Sequence, residues 1–399
     1  MNPDFYQKNR RALLDKIGGG ALVVITGYGE VQRTHDAASW FEQEANFWYL
    51  TGVELPDWWL VLDGTHGTEW LVSPEISDTQ AVFDGSFSPE TIKSGSGIKT
   101  IIERDEAVRR LRQLIKHHSI VYTTEQPSYL REHGHFQLNS AQAELKKTLE
   151  RTFQTVQLCN RELAELRTIK QPEETTAIQA AIDVTIGAIE AMKQNLSGAK
   201  YEYELDAILT QAIRSKGARH AYDPIVASGI NACTLHYVKN QGRLSKKELV
   251  LLDVGARVNG YAADISRTYS LGTPTKRQHA VHDAVREAQE RCINLLKPGL
   301  SLQEYQAECE HIMKTALTSL KLSTERYREY FPHAMGHGLG VDVHDNLVGH
   351  SSLRPGMVLT VEPGIYIRDE QIGVRIEDDI LITENGFKNL SARLSTEIR

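Results

Sequence analysis

The stretch Leu249–Leu271, LVLLDVGARVNGYAADISRTYSL, predicts a β-hairpin that carries two aspartates, Asp253 and Asp264. An apolar run leads to the first aspartate, and a second alternating run carries the other. Between them lies Asn259-Gly260, a pair typical of a type I′ turn because both central residues of that turn need positive φ. The stretch therefore predicts two antiparallel strands joined by a two-residue turn.

The register of this hairpin follows from the turn. If Val258 pairs with Tyr261, counting outward places Asp253 opposite Ser266. Asp264 lies two residues before Ser266, so both aspartates occupy the same sheet face as diagonal neighbours. Two carboxylates on a buried face repel each other unless a proton or a metal ion lies between them. A solvent-facing acidic pair with no role is the alternative that the hairpin alone leaves open.

Composition bounds the class of protein. A chain of 399 residues is long enough for two domains, and its net charge of −7 predicts neither a nucleic-acid partner nor an anionic membrane surface. The N-terminal residues lack the apolar segment of a signal peptide, and four cysteines lie far apart with no C-x-x-C pair. We therefore expect a cytoplasmic protein with reduced thiols that acts on a small molecule or a peptide.

The first part of the chain predicts a separate α/β domain. All five tryptophans fall within the first 70 residues, among strands such as WLVLDG and TEWLVS. These rings predict a core, although an exposed tryptophan that reaches a neighbouring subunit is the alternative. The residues from Leu145 to Lys170 predict helix, and a second helix is expected from Pro172 to about Met192. We place the domain boundary near residue 157, which gives domains 1–157 and 158–399.

Four further segments in the second half contribute acids and imidazoles beside glycines or in strands. They are LHYVKN with His236, FPHAMGHGLGVDVHD with His333, His337 and His344, VEPGIYI with Glu362, and VRIEDDILI with Arg375 and Glu377. Each segment alone is weak evidence for a functional site, because a single histidine beside glycines more often belongs to a core or a helix cap. Asp378 and Asp379 are interpreted as a solvated or paired extension of their strand.

Together these residues resemble the pita-bread metallopeptidases, within them the Xaa-Pro aminopeptidases (aminopeptidase P) and the Xaa-Pro dipeptidases (prolidases). The segment QEANFWYLTGVELPDWWLVL resembles their N-terminal domain, and the chain from about residue 158 resembles their catalytic domain. The resemblance implies a smaller, mixed α/β creatinase-like domain followed by a pseudo-twofold α+β pita-bread domain. It also implies a homodimer or homotetramer.

The resemblance implies two divalent metal ions held by Asp253, Asp264, His337, Glu362 and Glu377. In the family the first aspartate chelates one metal, the histidine and first glutamate hold the other, and the remaining two carboxylates bridge both. Four carboxylates and a neutral imidazole balance two divalent cations, and mostly oxygen donors favour Mn²⁺, with Co²⁺ or Zn²⁺ as alternatives. A metal-bridging hydroxide would then attack the peptide bond.

The resemblance also implies roles for residues beside the metals. Glu362 would transfer protons, and His236, His333 and His344 would bind substrate and stabilise the oxyanion. Arg375 would hold the carboxylates in position. A plain buried salt bridge is the alternative for Arg375, and a purely structural role is the alternative for His333.

The expected substrate is a peptide with proline at the second position. Prolidases grip the free proline carboxylate with an arginine, but the corresponding loop, NLVGHSSLRPGMV, offers only Arg354 and His350. We therefore expect an Xaa-Pro aminopeptidase, with prolidase as the alternative. Methionine aminopeptidase would leave the N-terminal domain unexplained, and creatinase lacks these ligands. A non-catalytic pita-bread binding module would be expected to have lost ligands, and a phosphoesterase would need a cluster of basic clamps.

Overall fold

The computed structural model describes residues 1–127, 130, 134 and 137–399. The chain divides into two units, Met1–Leu166 and Arg167–Arg399. Two domains were predicted from length and composition, and the structure confirms that number. The predicted boundary after residue 157 stays a prediction.

The first unit is built on a six-stranded mixed sheet in the order β4-β3-β2-β1-β5-β6. Its strands are β1 Leu22–Thr26, β2 Trp59–Asp63, β3 Thr68–Ser73, β4 Ile101–Glu103, β5 Ile120–Thr123 and β6 Thr155–Leu158. Helices whose residues are all described are α1 Pro3–Ile17, α2 Ala45–Thr51, α3 Asp78–Asp84, α4 Pro89–Ser96, α5 Arg104–Leu114, α6 Ala141–Glu150 and α7 Asn160–Thr168. The two central strands, LVVIT and WLVLD, are buried along their whole length, which explains their continuous apolar sequences.

The continuous helix predicted from Leu145 to Lys170 is wrong. The helix α6 ends at Glu150, and the chain then forms β6, which pairs in parallel with β5. β6 contains the β-branched pair Thr155-Val156, whose preference for extended backbone interrupts the helical pattern once a neighbouring strand is available.

Four of the five tryptophans confirm the predicted core of the first unit: Trp48, Trp58, Trp59 and Trp70 are buried. The prediction is wrong for Trp40, whose side chain is 70% exposed. Trp40 lies in an irregular segment before α2, so no strand or helix turns it inward.

The second unit contains four small antiparallel sheets in the orders β11-β10-β7, β12-β9-β8, β13-β16-β17 and β14-β15. The strands are β7 Arg219–His220, β8 Ile225–Ser228, β9 Leu249–Val254, β10 Ala256–Val258, β11 Tyr261–Ala262, β12 Ile265–Ser270, β13 Val358–Val361, β14 Gly364–Ile367, β15 Ile372–Arg375, β16 Asp378–Thr383 and β17 Gly386–Asn389. The helices are α8 Pro172–Asn195, α9 Glu202–Arg214, α10 Lys276–Asn294, α11 Leu302–Ser319 and α12 Tyr327–Tyr330.

The predicted hairpin is confirmed. Asn259 and Gly260 have φ values of 49° and 82°, as a type I′ turn requires, and β10 and β11 pair across them. The same register continues into the pairing of β9 with β12, where Asp253 lies opposite Ser266. The two-residue turn therefore determines which face of the sheet both aspartates occupy.

Helices of the second unit pack one apolar side against the strands. α10 buries Val281, Val285 and Cys292, and α11 buries Cys309 and Met313, in the same hydrophobic core as β13 to β16. Across the described ranges of the chain, no helix is both long and apolar enough to cross a membrane.

Candidate metal centre

A pocket in the second unit is lined by all nine side chains that the sequence predicted for the site. They are His236, Asp253, Asp264, His333, His337, His344, Glu362, Arg375 and Glu377. They come from five separate parts of the chain. The fold therefore brings the predicted residues together, and the geometry indicates what they could bind.

The carboxylates and the imidazole form two overlapping groups of metal-ligand atoms. One oxygen each of Asp253, Asp264 and Glu377 lie within 4.8 Å of one another, and the same holds for donor atoms of His337, Glu362 and Glu377. Glu377 belongs to both groups. Asp264 also approaches His337, with 3.4 Å between Oδ2 and Nε2. This arrangement is suited to two ions that share Glu377 and Asp264.

These carboxylates lie close together without enough positive charge nearby to balance them. Burial raises the pKa of Asp264 and raises that of Glu377 far above its usual range, and it raises the pKa of Glu362 to about 7. Burial alone would lower the pKa of His337, but the Asp264 carboxylate outweighs it and the pKa rises to about 9. Divalent cations would supply the missing charge, so this donor set fits a dinuclear metal centre.

The backbone around β13 fixes His337 relative to Glu362. The His337 N–H donates to Thr360 Oγ1, the Thr360 N–H donates to the His337 carbonyl at 2.9 Å, and the Glu362 N–H donates to the Met335 carbonyl at 2.9 Å. A Cβ at Gly336 would lie 2.0 Å from the Thr360 carbonyl oxygen. Glycine is therefore required at position 336 for the two segments to approach this closely.

Tyr222 is a side chain of the candidate site that the sequence reasoning missed. Its buried hydroxyl lies 2.6 Å from Asp253 Oδ1 and 2.5 Å from Asp264 Oδ1. It has one proton to donate, and its position between the two carboxylates orients both of them. Burial raises the pKa of Tyr222 well above its usual value, and the two aspartates raise it further. No local signal marks Tyr222, because it lies in a loop 31 residues before Asp253.

Arg375 is more than an isolated salt bridge. Its guanidinium bonds to Asp253 Oδ2, to Ser266 Oγ at 2.8 Å and to the Tyr366 hydroxyl at 2.9 Å. Ser266 in turn donates to Glu377 Oε2 at 2.7 Å. The arginine thus orients two of the predicted ligands, one directly and one through a serine. Sequence reasoning missed Ser266 and Tyr366, although the hairpin register already placed Ser266 opposite Asp253.

The three other histidines lie around the open side of the site. His333 contacts the Tyr366 hydroxyl through Nε2 at 2.9 Å and Glu362 through Nδ1 at 3.4 Å. Burial lowers the pKa of His333 to about 4, so this ring is neutral near pH 7. The ring of His344 lies 4.0 Å from that of His337, between centroids, and His236 is exposed at the pocket rim.

The two aspartates after Glu377 are not solvated, so that part of the prediction is wrong. Asp378 is buried and pairs with Arg267 at 2.7 Å, and Asp379 is fully buried and accepts a bond from the Asp264 N–H. The paired interpretation holds for Asp378. Burial would raise the pKa of Asp378, but Arg267 outweighs it and holds that pKa below its usual value, whereas burial raises the pKa of Asp379 well above its usual value.

Neither residue proposed to grip a proline carboxylate lines this pocket. Among the described residues, its lining contains neither Arg354 nor His350. The described lining contains Arg375 and four histidines instead, and burial lowers the pKa of His333 and His344 to about 4, so these two rings are neutral near pH 7.

The two halves of the chain match two family profiles. The profile of metallopeptidase family M24 matches residues 176–384, and that of the aminopeptidase P N-terminal domain matches residues 6–122. The Xaa-Pro aminopeptidase of Escherichia coli (strain K12) is 33% identical over 417 residues, which covers 97% of this chain and 94% of that protein. An Xaa-Pro dipeptidase of Pyrococcus furiosus is 36% identical over 234 residues, which covers 57% of this chain and 64% of that protein.

Solved structures of E. coli aminopeptidase P have the same fold as this chain. One is a complex with the inhibitor Pro-Leu, and another is a zinc-substituted form in complex with product. Each has a TM-score of 0.86 and 31% identity, and the match covers 100% of this chain and 97% of the solved chain. The predicted two-domain architecture, with a pita-bread second domain, is confirmed.

Proposed function

Because this chain belongs to metallopeptidase family M24, we propose that it is a metal-dependent aminopeptidase that hydrolyses the Xaa-Pro bond at the N-terminus of peptides. The observation that carries the proposal is the pair of overlapping donor groups that share Glu377. A binding module has no need for two adjoining metal positions beside an open pocket. The similarity to Xaa-Pro aminopeptidases over nearly the whole chain supports the substrate class.

Five residues would hold the two ions. Asp253 would bind one ion, His337 and Glu362 the other, and Asp264 and Glu377 both. When bound, the ions would supply Lewis-acid activation of a water molecule and of the scissile carbonyl. We propose Mn²⁺ as the preferred metal, because four of the five ligands are carboxylates, with Co²⁺ or Zn²⁺ as substitutes.

The chain's own groups would move the protons and hold the substrate. Glu362 would accept a proton from the attacking water and return it to the leaving proline nitrogen. His333 would take part in substrate binding and oxyanion stabilisation. Because the N–H at its Nδ1 donates to the Ala334 carbonyl 2.8 Å away, the neutral ring would have to release that bond in order to donate to the oxyanion. His236 and His344 would bind the substrate from the pocket rim. Arg375 would keep Asp253 and Glu377 in their orientations throughout.

Selectivity for proline has a physical basis. An Xaa-Pro bond has no N–H and the ring fixes φ, so a peptidase that binds the chain through that N–H cannot position it. The proposed enzyme would instead hold the bond through its carbonyl and the free N-terminus.

The second candidate function is that of a prolidase, which cleaves Xaa-Pro dipeptides. The observation that favours it is the similarity of the second unit to Xaa-Pro dipeptidases. Against it, that similarity covers 57% of the chain, and neither Arg354 nor His350 lines the pocket. We therefore favour cleavage of longer peptides.

The deciding experiment compares Ala-Pro-Ala with Ala-Pro as substrates of metal-stripped protein to which Mn²⁺ is returned. We expect release of alanine from the tripeptide at a much higher kcat/KM than from the dipeptide. The opposite order would indicate a prolidase, and no turnover of either would contradict an enzymatic function.

A variant pair tests the metal centre itself. Asp264→Ala removes a proposed bridging ligand and should abolish hydrolysis and lower the bound metal. The control is Asp283→Ala, which removes a carboxylate 58% exposed on α10, and it should behave as the wild type. Full activity of Asp264→Ala with two bound ions would refute the two-metal proposal.

We also propose a cytoplasmic location and a homodimer or homotetramer. The described cysteines are all free, which is consistent with a reducing compartment. The proposal of an assembly follows from the family resemblance, and the exposed ring of Trp40 is its candidate contact with a neighbouring subunit. Light scattering of the wild type and of Trp40→Ala tests the assembly, and a wild-type monomer would contradict it.

A further inference from the structure

A second group of metal-binding side chains lies in the first unit, in residues that the proposed reaction does not use. It consists of Asp63 at the end of β2, His66 in the turn that follows, and His118 before β5. One donor atom from each lies within 4.8 Å of the other two. The group is formed by two segments about fifty residues apart in the chain.

The carboxylate of Asp63 lies between the two imidazoles. Its Oδ2 is 2.6 Å from His66 Nδ1, and its Oδ1 is 3.0 Å from His118 Nε2. The Asp63 and His118 side chains are only 2% and 4% exposed, whereas that of His66 is 40% exposed. Burial would raise the pKa of Asp63, but its bonds to the histidines lower it, so the carboxylate is charged near pH 7. The group thus offers one anion and two imidazoles, with one side open to water.

The turn that follows Asp63 and carries His66 is held in place by its surroundings. The Gly64 N–H donates to the Ala21 carbonyl at 2.9 Å, and the Thr65 hydroxyl donates to the Gly20 carbonyl at 2.8 Å. A Cβ at Gly64 would lie 2.1 Å from the carbonyl oxygen of the neighbouring glycine-rich segment. The donor atoms are therefore positioned before any ligand arrives, which lowers the entropic cost of binding.

We propose that Asp63, His66 and His118 form a zinc-binding site that links the β2–β3 turn to the start of β5. Imidazole nitrogens with one carboxylate are a donor set suited to Zn²⁺, with a water molecule as the fourth ligand. Metal–ligand bonds of about 2.0–2.1 Å in a tetrahedron separate neighbouring donors by about 3.3 Å. The contacts of 2.6 and 3.0 Å need to open by less than an ångström, which rotation of the exposed His66 ring allows.

The competing explanation is that the two histidines are only hydrogen-bond donors that neutralise a buried aspartate. Side-chain amides separate these roles, since they replace imidazole as donors but bind zinc poorly. The amide nitrogen of asparagine occupies about the place of Nδ1, and that of glutamine about the place of Nε2. His66→Asn and His118→Gln therefore keep the bonds to Asp63 while removing the metal ligands.

The experiment measures bound zinc per chain after equilibrium dialysis of the full-length protein against one zinc buffer. The wild type, His66→Asn, His118→Gln and the control His279→Asn are compared, the last changing an exposed histidine on α10. Since all four share the M24 centre, its metal content cancels in the comparison. We expect one equivalent less zinc in each of the first two variants, and wild-type content in the control.

Two further measurements, hydrolysis of Ala-Pro-Ala and Tm, show whether each variant is folded. Hydrolysis of Ala-Pro-Ala should be the same in all four proteins, which shows that the second unit is intact. Zinc should raise the Tm of the first unit in the wild type and in His279→Asn but not in His66→Asn. Equal zinc content in all four proteins would overturn the proposal, as would retention by His66→Asn alone. If His118→Gln fails to fold, the exposed His66→Asn decides.

Discussion

Replacement of Tyr222 by phenylalanine tests how strongly the hydroxyl between Asp253 and Asp264 prepares the metal centre. The substitution removes one oxygen atom and leaves the half-buried ring, so the packing change is minimal. The hydroxyl lies 2.6 Å from Asp253 Oδ1 and 2.5 Å from Asp264 Oδ1, and its one proton can be donated to either of them. The substitution removes that hydrogen bond. A hydrogen bond to a charged group contributes about 1.5–3 kcal/mol.

That free energy sets the expected loss of metal affinity. Without the hydroxyl the two carboxylates are free to rotate away from each other, and binding has to restore their orientation. Since about 1.4 kcal/mol corresponds to a tenfold change in an equilibrium constant, Tyr222→Phe should weaken Mn²⁺ binding by roughly 10- to 100-fold. At saturating Mn²⁺ much of the hydrolytic activity should return, because the direct ligands are intact.

The assay is a Mn²⁺ titration of metal-stripped protein, followed both by calorimetry and by hydrolysis of Ala-Pro-Ala. The matched control is Tyr269→Phe, which removes another buried hydroxyl, one without a hydrogen-bond partner in the described part of the chain. That control should bind Mn²⁺ as the wild type does. Wild-type affinity in Tyr222→Phe would refute the idea that the hydroxyl orients the two ligands.

Three further substitutions test separate parts of the second unit. Arg375→Lys keeps the positive charge, but an ammonium group cannot make the several hydrogen bonds that the planar guanidinium makes, including the one to Asp253. We expect kcat/KM to fall by about 10- to 100-fold with unchanged folding, and wild-type kinetics would contradict this role. Arg267→Met leaves the carboxylate of Asp378 buried without its cation and should cost about 3–5 kcal/mol of unfolding free energy in denaturant titrations; an unchanged midpoint would exclude a stabilising pair. Burial lowers the pKa of His282 to about 4. Between pH 6.5 and 4 the unfolded chain therefore binds a proton that the folded chain does not, so the free energy of unfolding decreases as the pH is lowered. His282→Asn should lose about 2–3 kcal/mol less than the wild type over this range, and parallel pH profiles would show that this histidine is not responsible.

The hairpin and the positions of its two aspartates were predictable because they depend on local rules. A two-residue turn and a side-chain period of two determine that Asp253 faces Ser266 and shares its face with Asp264. The other predicted site residues were found through their motifs, and all of them line one pocket. Their roles as ligands or catalytic groups remain proposals that the variants above test.

The mistakes came where a distant segment decided the outcome. The helical pattern after Leu145 was overridden at Thr155-Val156 by pairing with β5, a strand more than thirty residues earlier. Asp379 looked like a solvated or paired strand residue, but the backbone N–H of Asp264, in the connection between β11 and β12, donates to it. Local propensity cannot predict such contacts, because their free energy comes from packing between parts of the chain that meet only on folding.

The sequence by itself therefore determined the acidic hairpin, because turn chemistry and side-chain alternation act over a few residues, and its length and composition predicted two domains. It also supplied the acids and imidazoles that line the candidate site. Only the tertiary structure decided that Tyr222 lies between the two aspartates, and that His118 meets the turn of Asp63 and His66. These contacts join residues 31 to 55 positions apart. Their geometry depends on how whole strands and helices pack, and a shift of one ångström in that packing would separate the donor atoms from one another.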